Sequence, residues 1–500
     1  VKQRLPWVLI GLLPLFLLPV SSELGDLGGD SAQYILLARA LAGGQGYREL
    51  WTPGLPTHGF YPPMFPALLV PAELAGAAGF LAHHLTIALC ALGCVALTAL
   101  LFVPHVGVAG ALAAAALLGG GTFFVLSLLR ILSEVPFLLF TLGALLALQR
   151  FRSAGGGARS AALCGALVGA AWLTRSAGIA VFAALVPFVL ARRRLAPIAL
   201  FIGCALAPVA VWTVAGGGGY LGQLLAKNPY DPTAGQATAA DLAQRVSLNA
   251  RFYAAELPAR LVAGWLPRPV GWGVLALLAA GLALMLRGPT RPFALVVGAQ
   301  AALLLVWPWA DPRFLLPVLP FLVLALLLPF RNGKPLIAAA AVLGAVQLFG
   351  DARLLTAHFR DLDFHPPPGM GETIRFARWF DAHTWGQQSP AAVRVFGRYI
   401  ALARRAREVD GEAVLLCRKP TIAAVLGGVK AAAYPFTRDP DRAIREIEAR
   451  GRALILEDEF DPLTREYLGA ALRGHPERFE TVAHLGATRL LRLRPAPAAR

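Results

Sequence analysis

Seven charged residues stand where an apolar chain has least reason to carry charge: Asp26, Asp30, Arg130, Glu134, Arg175, Asp311 and Arg313. Each falls at the end of an apolar run or in the first polar loop. Charges at membrane depth are costly and tend to mark a site or a water-filled cavity. These types also suit one chemistry. A carboxylate can accept a proton, and arginine offers a planar multi-donor fork to an anionic oxygen. Taken singly, each arginine is equally well read as snorkelling to the interface. Asp30 or Ser31 would also serve as a helix N-cap before Ile35 to Leu41. Glu134 lies one turn after Arg130, so the two would share a helix face and pair.

The elements that must position these residues are set by composition. In 500 residues, 57% are hydrophobic and 15% charged, at a mean hydropathy of +0.61. Neither a soluble enzyme nor a disordered chain has that balance. Residues 1–350 hold 22 Lys+Arg and 10 Asp+Glu, and residues 351–500 hold 24 and 19. We expect a membrane region over 1–350 and a soluble domain over 351–500. Much of the net +17 sits in short turns between apolar runs, so it reports topology and not nucleic-acid binding. Cys90, Cys94, Cys164 and Cys204 lie in apolar runs, which gives no disulfide framework.

The chain opens on Lys2, Arg4 and the apolar run Pro6 to Val20, read as a first span rather than a cleaved signal peptide. Val1 in place of methionine points to a start that is missing or unconventional. Ten further runs follow, near 81–103, 107–128, 131–149, 161–175, 177–190, 195–214, 269–286, 293–309, 314–330 and 335–350. Basic turns orient them: Arg150, Arg152 and Arg159; Arg192 to Arg194; Arg287 and Arg291; Arg331 and Lys334. With eleven spans and a cytoplasmic N-terminus, every such turn is cytoplasmic, as the positive-inside rule requires. Loops 21–65 and 215–268 and the tail are then on the outer face, periplasmic in a bacterium. The seven charges converge on that face.

The first outer loop contains Gly28-Gly29-Asp30-Ser31 and Tyr34, then His58, then the corner Tyr61-Pro62-Pro63, an extended entry into the next helix. In the second, Leu242, Val246, Tyr253, Leu257 and Leu261 repeat at three-to-four spacing opposite Arg245, Arg251 and Arg260. That is an amphipathic helix for the outer leaflet or for packing on the tail. The tail reads as α/β, with strands at Ala413–Cys417 and Ala453–Glu457 and a hairpin from Phe479–Leu485 to Thr488–Leu493. Asp439-Pro440 and Asp461-Pro462 read as N-cap and first helical residue. Glu457, Asp458, Glu459 and Asp461 are read as a solvated strand end before a metal site. No Walker loop, paired-Cys motif or dinucleotide fingerprint is present.

Asp30-x-x-x-Tyr34 after the first span, the Tyr-Pro-Pro corner and the late run Arg313-Phe-Leu-Leu-Pro-Val-Leu-Pro resemble the GT-C membrane glycosyltransferases. The branch is that of protein O-mannosyltransferases and lipid A aminoarabinose transferases. The resemblance covers about residues 1–350 and rests on the order of the motifs and their shared face. It implies transfer of a sugar from a polyprenyl-phosphate donor to a glycan, lipid or protein acceptor at the outer surface of a bacterial inner membrane. It matches Asp30 to the acidic residue serving the acceptor and Arg313 to a basic residue near the donor phosphate. The chain departs from relatives at Ser31, Gln33 and Tyr61, where they often carry Glu, Arg and Lys.

Such a reaction needs a base for the acceptor hydroxyl, with Asp30 first and Asp26 second. It also needs cations for the leaving phosphate, with Arg313 first and then Arg130 and Arg175. Glu134, Tyr34, Tyr61 and His58 are supporting candidates, and inversion follows from single displacement. A divalent metal is left open, with Asp26, Asp30 and His58 as its ligands; capping and loop roles compete. His83-His84 is read as interfacial. The rival class is a transporter or flippase for a lipid-linked or anionic substrate. Against it, the charges gather on one face and no internal repeat is evident. A non-catalytic assembly or sensor protein would account for the tail but not for the Asp and Arg placement.

Overall fold

The computed structural model describes residues 3–17, 20, 23–24, 27–76, 79–153, 155–229, 234–262, 267–331, 333–358, 362–376 and 390–495. Two compact units emerge. One comprises Val1–Ser21, Gly59–Leu68 and Leu81–His358; the other comprises Ser22–His58, Leu69–Phe80 and Phe359–Arg500. The first outer loop thus folds with the tail.

The helices begin with α1 (Leu5–Leu17), α2 (Gly29–Ala42), α3 (Met64–Leu74), α4 (Leu81–Gly119) and α5 (Thr122–Ser127). They continue with α6 (Glu134–Ser153), α7 (Ala158–Thr174), α8 (Gly178–Leu190), α9 (Leu195–Val214) and α10 (Tyr220–Leu225). The set closes with α11 (Ala239–Leu261), α12 (Arg268–Arg287), α13 (Arg291–Val306), a 3₁₀ turn Pro312–Val318, α14 (Leu319–Leu327) and α15 (Lys334–His358). Among the described residues, five helical stretches are long and apolar enough to cross a membrane: α4, α6, α9, α12 and Pro312–Phe330. Shorter apolar helices include Leu5–Leu17, Met64–Leu74, Ala158–Thr174 and Gly178–Leu190.

The runs near 81–103 and 107–128 are separate helices, as expected, and the second ends at Gly119. Within α4 the two helices meet at a kink at Gly107, whose φ of 69° is left-handed, three residues after Pro104. Proline and a left-handed glycine together break the hydrogen-bond ladder there. Helix α4 packs against α1, α6, α14 and α15 and is the centre of the first unit. Helix α7 meets α9 through Gly165, where a Cβ would stand 2.2 Å from the Phe201 carbonyl oxygen. Small residues allow such backbone approach between membrane helices.

Three of the basic turns gather at one end of this unit. Arg192 donates to the Arg152 carbonyl (2.7 Å), Arg194 to that of Gly155 (3.2 Å) and Arg152 to that of Pro289 (3.2 Å). Glu134 begins α6 and Arg152 sits in its last turn, so Glu134 lies at the opposite end.

Helix α11 forms as its periodicity predicts, started by a capping box between Thr238 and Asp241. It packs on α12 and α13. Two of the three arginines set opposite its apolar positions are engaged within the protein. Arg245 donates to the carbonyls of Leu224, Ala226 and Val306. Arg260 pairs with Glu256 at 2.9 Å and lies over the Phe123 ring. Asn249 also donates to three carbonyls, those of Leu304, Leu305 and Trp307. Arg245 and Asn249 thus satisfy orphan acceptors at the C-termini of α10 and α13, a demand that amphipathic periodicity does not register.

In the second unit, β1 (Leu362–Phe364) pairs antiparallel with β2 (Ile374–Phe376). A five-stranded sheet is formed by β3 (Val414–Leu416), β4 (Ala431–Ala432), β5 (Ala453–Glu457), β6 (Phe479–Leu485) and β7 (Thr488–Leu493), in the order β4-β3-β5-β7-β6. The pairs β3–β4 and β3–β5 are parallel; β5–β7 and β6–β7 are antiparallel. Its helices include α16 (Pro390–Val409), α17 (Pro420–Gly427) and α18 (Pro440–Glu448). Leu416, Ile455 and Leu491 form one register row and pack with Ile447, Tyr434 and Tyr467.

Asp439 caps α18 ahead of Pro440, and Asp461 accepts from the Leu463 N–H at 3.0 Å. The acidic cluster is no solvated strand end. Glu457 pairs with Arg489, Glu459 with Arg398 and Asp461 with Arg418. Asp458 is buried and accepts from Thr464 and from the Asp461 N–H. Three arginines and two turn donors, spread through the tail sequence, satisfy what looks like bare charge.

Candidate active site

In the first unit, α7 ends at Thr174, α6 starts at Glu134, and the 3₁₀ turn starts at Pro312. These ends bring three of the predicted residues together. Arg175 pairs with the Glu134 carboxylate at 2.8 Å, and the Arg313 Nε lies 3.7 Å from the same oxygen. Arg175 also donates to the Ser133 hydroxyl (2.9 Å). Arg313 pairs with Asp311 at 3.1 Å, and Asp311 caps the 3₁₀ turn by accepting from the Arg313 N–H. Both guanidinium groups lie over the Phe314 ring, at 5.5 and 5.1 Å from its centroid. The Glu134 side chain is 3% exposed, those of Arg175 and Arg313 21% and 23%. A buried carboxylate thus orients two partly exposed arginines.

Arg130 is buried nearby in sequence, but it does not share a helix face with Glu134. Helix α5 ends at Ser127 and α6 starts at Glu134, so residues 128–133 run as a non-helical connection. The expected i,i+4 relation needs a continuous helix. Glu134 has Arg175 and Arg313 among its partners.

Arg175 is the charged member of the lining of a cavity of about 370 Å³. Trp172, Trp212, Trp307 and Phe314 form apolar walls and Gln300 adds an amide. Sequence reading did not find these aromatics, because indoles near helix ends are ordinary interfacial residues.

The corner Tyr61-Pro62-Pro63 leads directly into α3 at Met64. Tyr61 is half-buried and meets Phe60 edge to face at 5.0 Å. Gly59 presses on the second outer loop: its carbonyl accepts from the N–H groups of Gly218 (3.0 Å) and Gly219 (3.2 Å). A Cβ on Gly59 would stand 2.3 Å from the Gly216 carbonyl oxygen. Gly59→Ala must therefore drive one backbone off the other, at ~1–3 kcal/mol for overpacking of this kind. A thermal midpoint lowered by several degrees is the expected result; an unchanged midpoint would show that the seam yields.

In the second unit, Asp30 occupies the first turn of α2 and is half-buried. It is not the cap. Gly28 holds the N-cap position, so neither Asp30 nor Ser31 takes the role foreseen for it. Tyr34 is buried on the same helix. Asp26 lies outside the described residues. His58 is 2% exposed. Its Nδ1 lies 2.9 Å from the Glu49 carboxylate, and its ring meets those of Tyr47 and Trp51 edge to face. The expected metal ligands do not assemble: among the described residues, no three His, Cys, Asp or Glu side chains are grouped to hold an ion. His83 and His84 are buried rather than interfacial, and the His84 ring bonds to the Leu128 carbonyl at 3.2 Å.

The fold is similar to that of ArnT from Cupriavidus metallidurans bound to undecaprenyl phosphate. The TM-score is 0.57 at 14% identity, over 98% of both chains. It is also similar to an Archaeoglobus fulgidus oligosaccharyltransferase in complex with Zn and sulfate, at a TM-score of 0.55 and 12% identity. That match covers 95% of this chain and 71% of the other. AglB from Archaeoglobus fulgidus, in complex with an inhibitory peptide and a dolichol-phosphate, matches at a TM-score of 0.50 and 12% identity, over 90% and 69% of the two chains. No family model and no curated protein sequence matches the chain. The chain thus shares its fold with these structures.

Proposed function

We propose that this protein is a membrane glycosyltransferase that moves a sugar from a polyprenyl-phosphate donor to an acceptor hydroxyl on the periplasmic face, with inversion. The observation that carries the reading is the pair Arg175 and Arg313 on the buried Glu134, with Arg175 lining an apolar, aromatic cavity. A lipid phosphate has that dual character, a dianionic head on a hydrocarbon tail. In this scheme the acceptor oxygen attacks the anomeric carbon as Asp30 takes its proton. The bond from that carbon to the phosphate oxygen breaks, and the arginines hold the departing phosphate. Asp26 is the alternative base, Arg130 a further cation for the phosphate, and Tyr34, Tyr61 and His58 support the site.

The rival, transport of a lipid-linked anion, would also use an arginine-lined cavity. Radiolabelled sugar on undecaprenyl phosphate separates the two. Transfer of label to acceptor or water, with release of the carrier, is expected; uptake of intact donor into vesicles would favour transport. Orientation has its own test. The basic turns joined by Arg152, Arg192 and Arg194 are taken as cytoplasmic, and the tail as periplasmic. An alkaline phosphatase fused after Arg500 should be active, whereas activity of a fused cytoplasmic reporter alone would reverse the assignment.

A further inference from the structure

The tail sheet is doubly wound over its parallel part. Strand β3 leads through α17 to β4 on one side, and β4 leads through α18 to β5 on the other. The carboxyl ends of β3 and β5 therefore flank a topological switch point, where open α/β sheets place their binding residues. Arg418 and Lys419 follow β3; Asp458 and Asp461 follow β5.

What reaches this edge is the start of α2. The Thr421 hydroxyl donates to the Gly29 carbonyl at 3.0 Å. A Cβ on Gly29 would lie 3.9 Å from both the Lys419 Cδ and the Thr421 hydroxyl. Lys419 is itself held from behind, with its carbonyl accepting from the Tyr399 hydroxyl at 2.9 Å.

Lys419 is locally out of place. It is the N-cap of α17, where a cation opposes the helix dipole and Ser, Thr, Asp or Asn would be preferred. Burial draws its ammonium below the usual lysine range and the adjacent Arg418 adds to this, while Asp461, Asp30 and Asp458 act in the opposite direction. Of those three carboxylates, Asp461 is paired with Arg418 at 2.9 Å. Asp458 accepts from Thr464 and the Asp461 N–H. Asp30 is the carboxylate that arrives from outside the tail sheet. A residue that breaks local preference without a structural return is expected at a functional site.

We propose that the tail domain acts in catalysis through Lys419, a positioning residue whose ammonium group holds and charges the Asp30 carboxylate while Thr421 fixes the backbone beside it. The proposal rests on the reading of Asp30 as the base.

The test is the pH dependence of kcat in the purified full-length protein, with the undecaprenyl-phosphate hexose that wild type consumes fastest. Removing a cation beside a carboxylate raises the pH at which that carboxylate titrates. Because the base must be ionised, the acidic limb of kcat in Lys419→Met should move up by about one pH unit, with KM for donor within about twofold. Lys419→Arg should restore the limb. In an Asp30→Asn background, Lys419→Met should change the residual rate by less than about twofold, as expected when one residue acts through the other. A folded Lys419→Met protein with an unmoved limb overturns the proposal. So does failure of both Lys419→Met and Lys419→Gln to fold, which would make Lys419 a folding residue. Wild type that consumes no donor would instead sink the glycosyltransferase reading.

Discussion

Asp30→Asn is expected to fold, bind donor and lose turnover by about 10²–10⁴-fold, the usual contribution of a general base. The substitution is discriminating because Asp30 does not cap α2. Gly28 is the N-cap, so amide for carboxylate removes a proton acceptor and leaves the helix start intact. A carboxylate in the first turn does gain from the helix dipole, by about 0.3–1 kcal/mol. That dipole gain cannot account for a rate loss of 10²-fold, which corresponds to about 2.7 kcal/mol. Thermal midpoint and donor binding should therefore stay near wild type while the chemical step fails. A rate within about tenfold of wild type, with chemistry limiting, would move the role to Asp26.

The second large effect concerns Arg175 and Arg313. Each shares the Glu134 carboxylate, so removing one leaves Glu134 paired with the other and the local charge balance tolerable. Arg175→Ala and Arg313→Ala are each expected to lower kcat by about 10²–10³-fold, as loss of one preorganised donor to a developing anion does. Arg313→Lys keeps the charge but loses the fork, and should weaken donor use with folding preserved. The readout is kcat with undecaprenyl-phosphate sugar beside binding of undecaprenyl phosphate alone. Unchanged kinetics in a folded Arg313→Ala protein would remove it from the site.

Local patterns were legible wherever the physics is local. The strand at Ala453–Glu457 and both strands of the terminal hairpin fall where period-two alternation and the intervening turn put them. Asp439-Pro440 starts its helix, and α11 follows its apolar spacing. Long-range, backbone-mediated contacts were not legible. The first loop joins the tail through a bridge from Leu24 to Phe376, a hydrogen bond from Thr421 to Gly29, and another from the Ala431 N–H to the Trp51 carbonyl. The last of these covers the β4 edge of the sheet. None of these contacts depends on side-chain periodicity, so no pattern announces them.

The site was legible by residue type but not by partner. Charge placement singled out Glu134, Arg175 and Arg313, and the structure brings them together. The same placement suggested Arg130 as the partner of Glu134, by assuming a helix through residues 128–133. The chain leaves the helix there, and the carboxylate meets residues about 40 and 180 positions later, a pairing that only the packed helix ends define. The acidic run after β5 failed for a related reason, since its arginine partners come from α16, the loop after β3, and β7.

The central claim is that a sugar leaves a lipid phosphate in this protein. The most direct measurement incubates the purified protein in detergent with a panel of undecaprenyl-phosphate sugars and follows each donor together with free undecaprenyl phosphate. The account predicts that at least one donor is consumed with stoichiometric release of the carrier, and that Asp30→Asn and Arg313→Ala abolish the release. A panel left intact by folded wild-type protein that binds undecaprenyl phosphate, or carrier release unaffected by both substitutions, would contradict it.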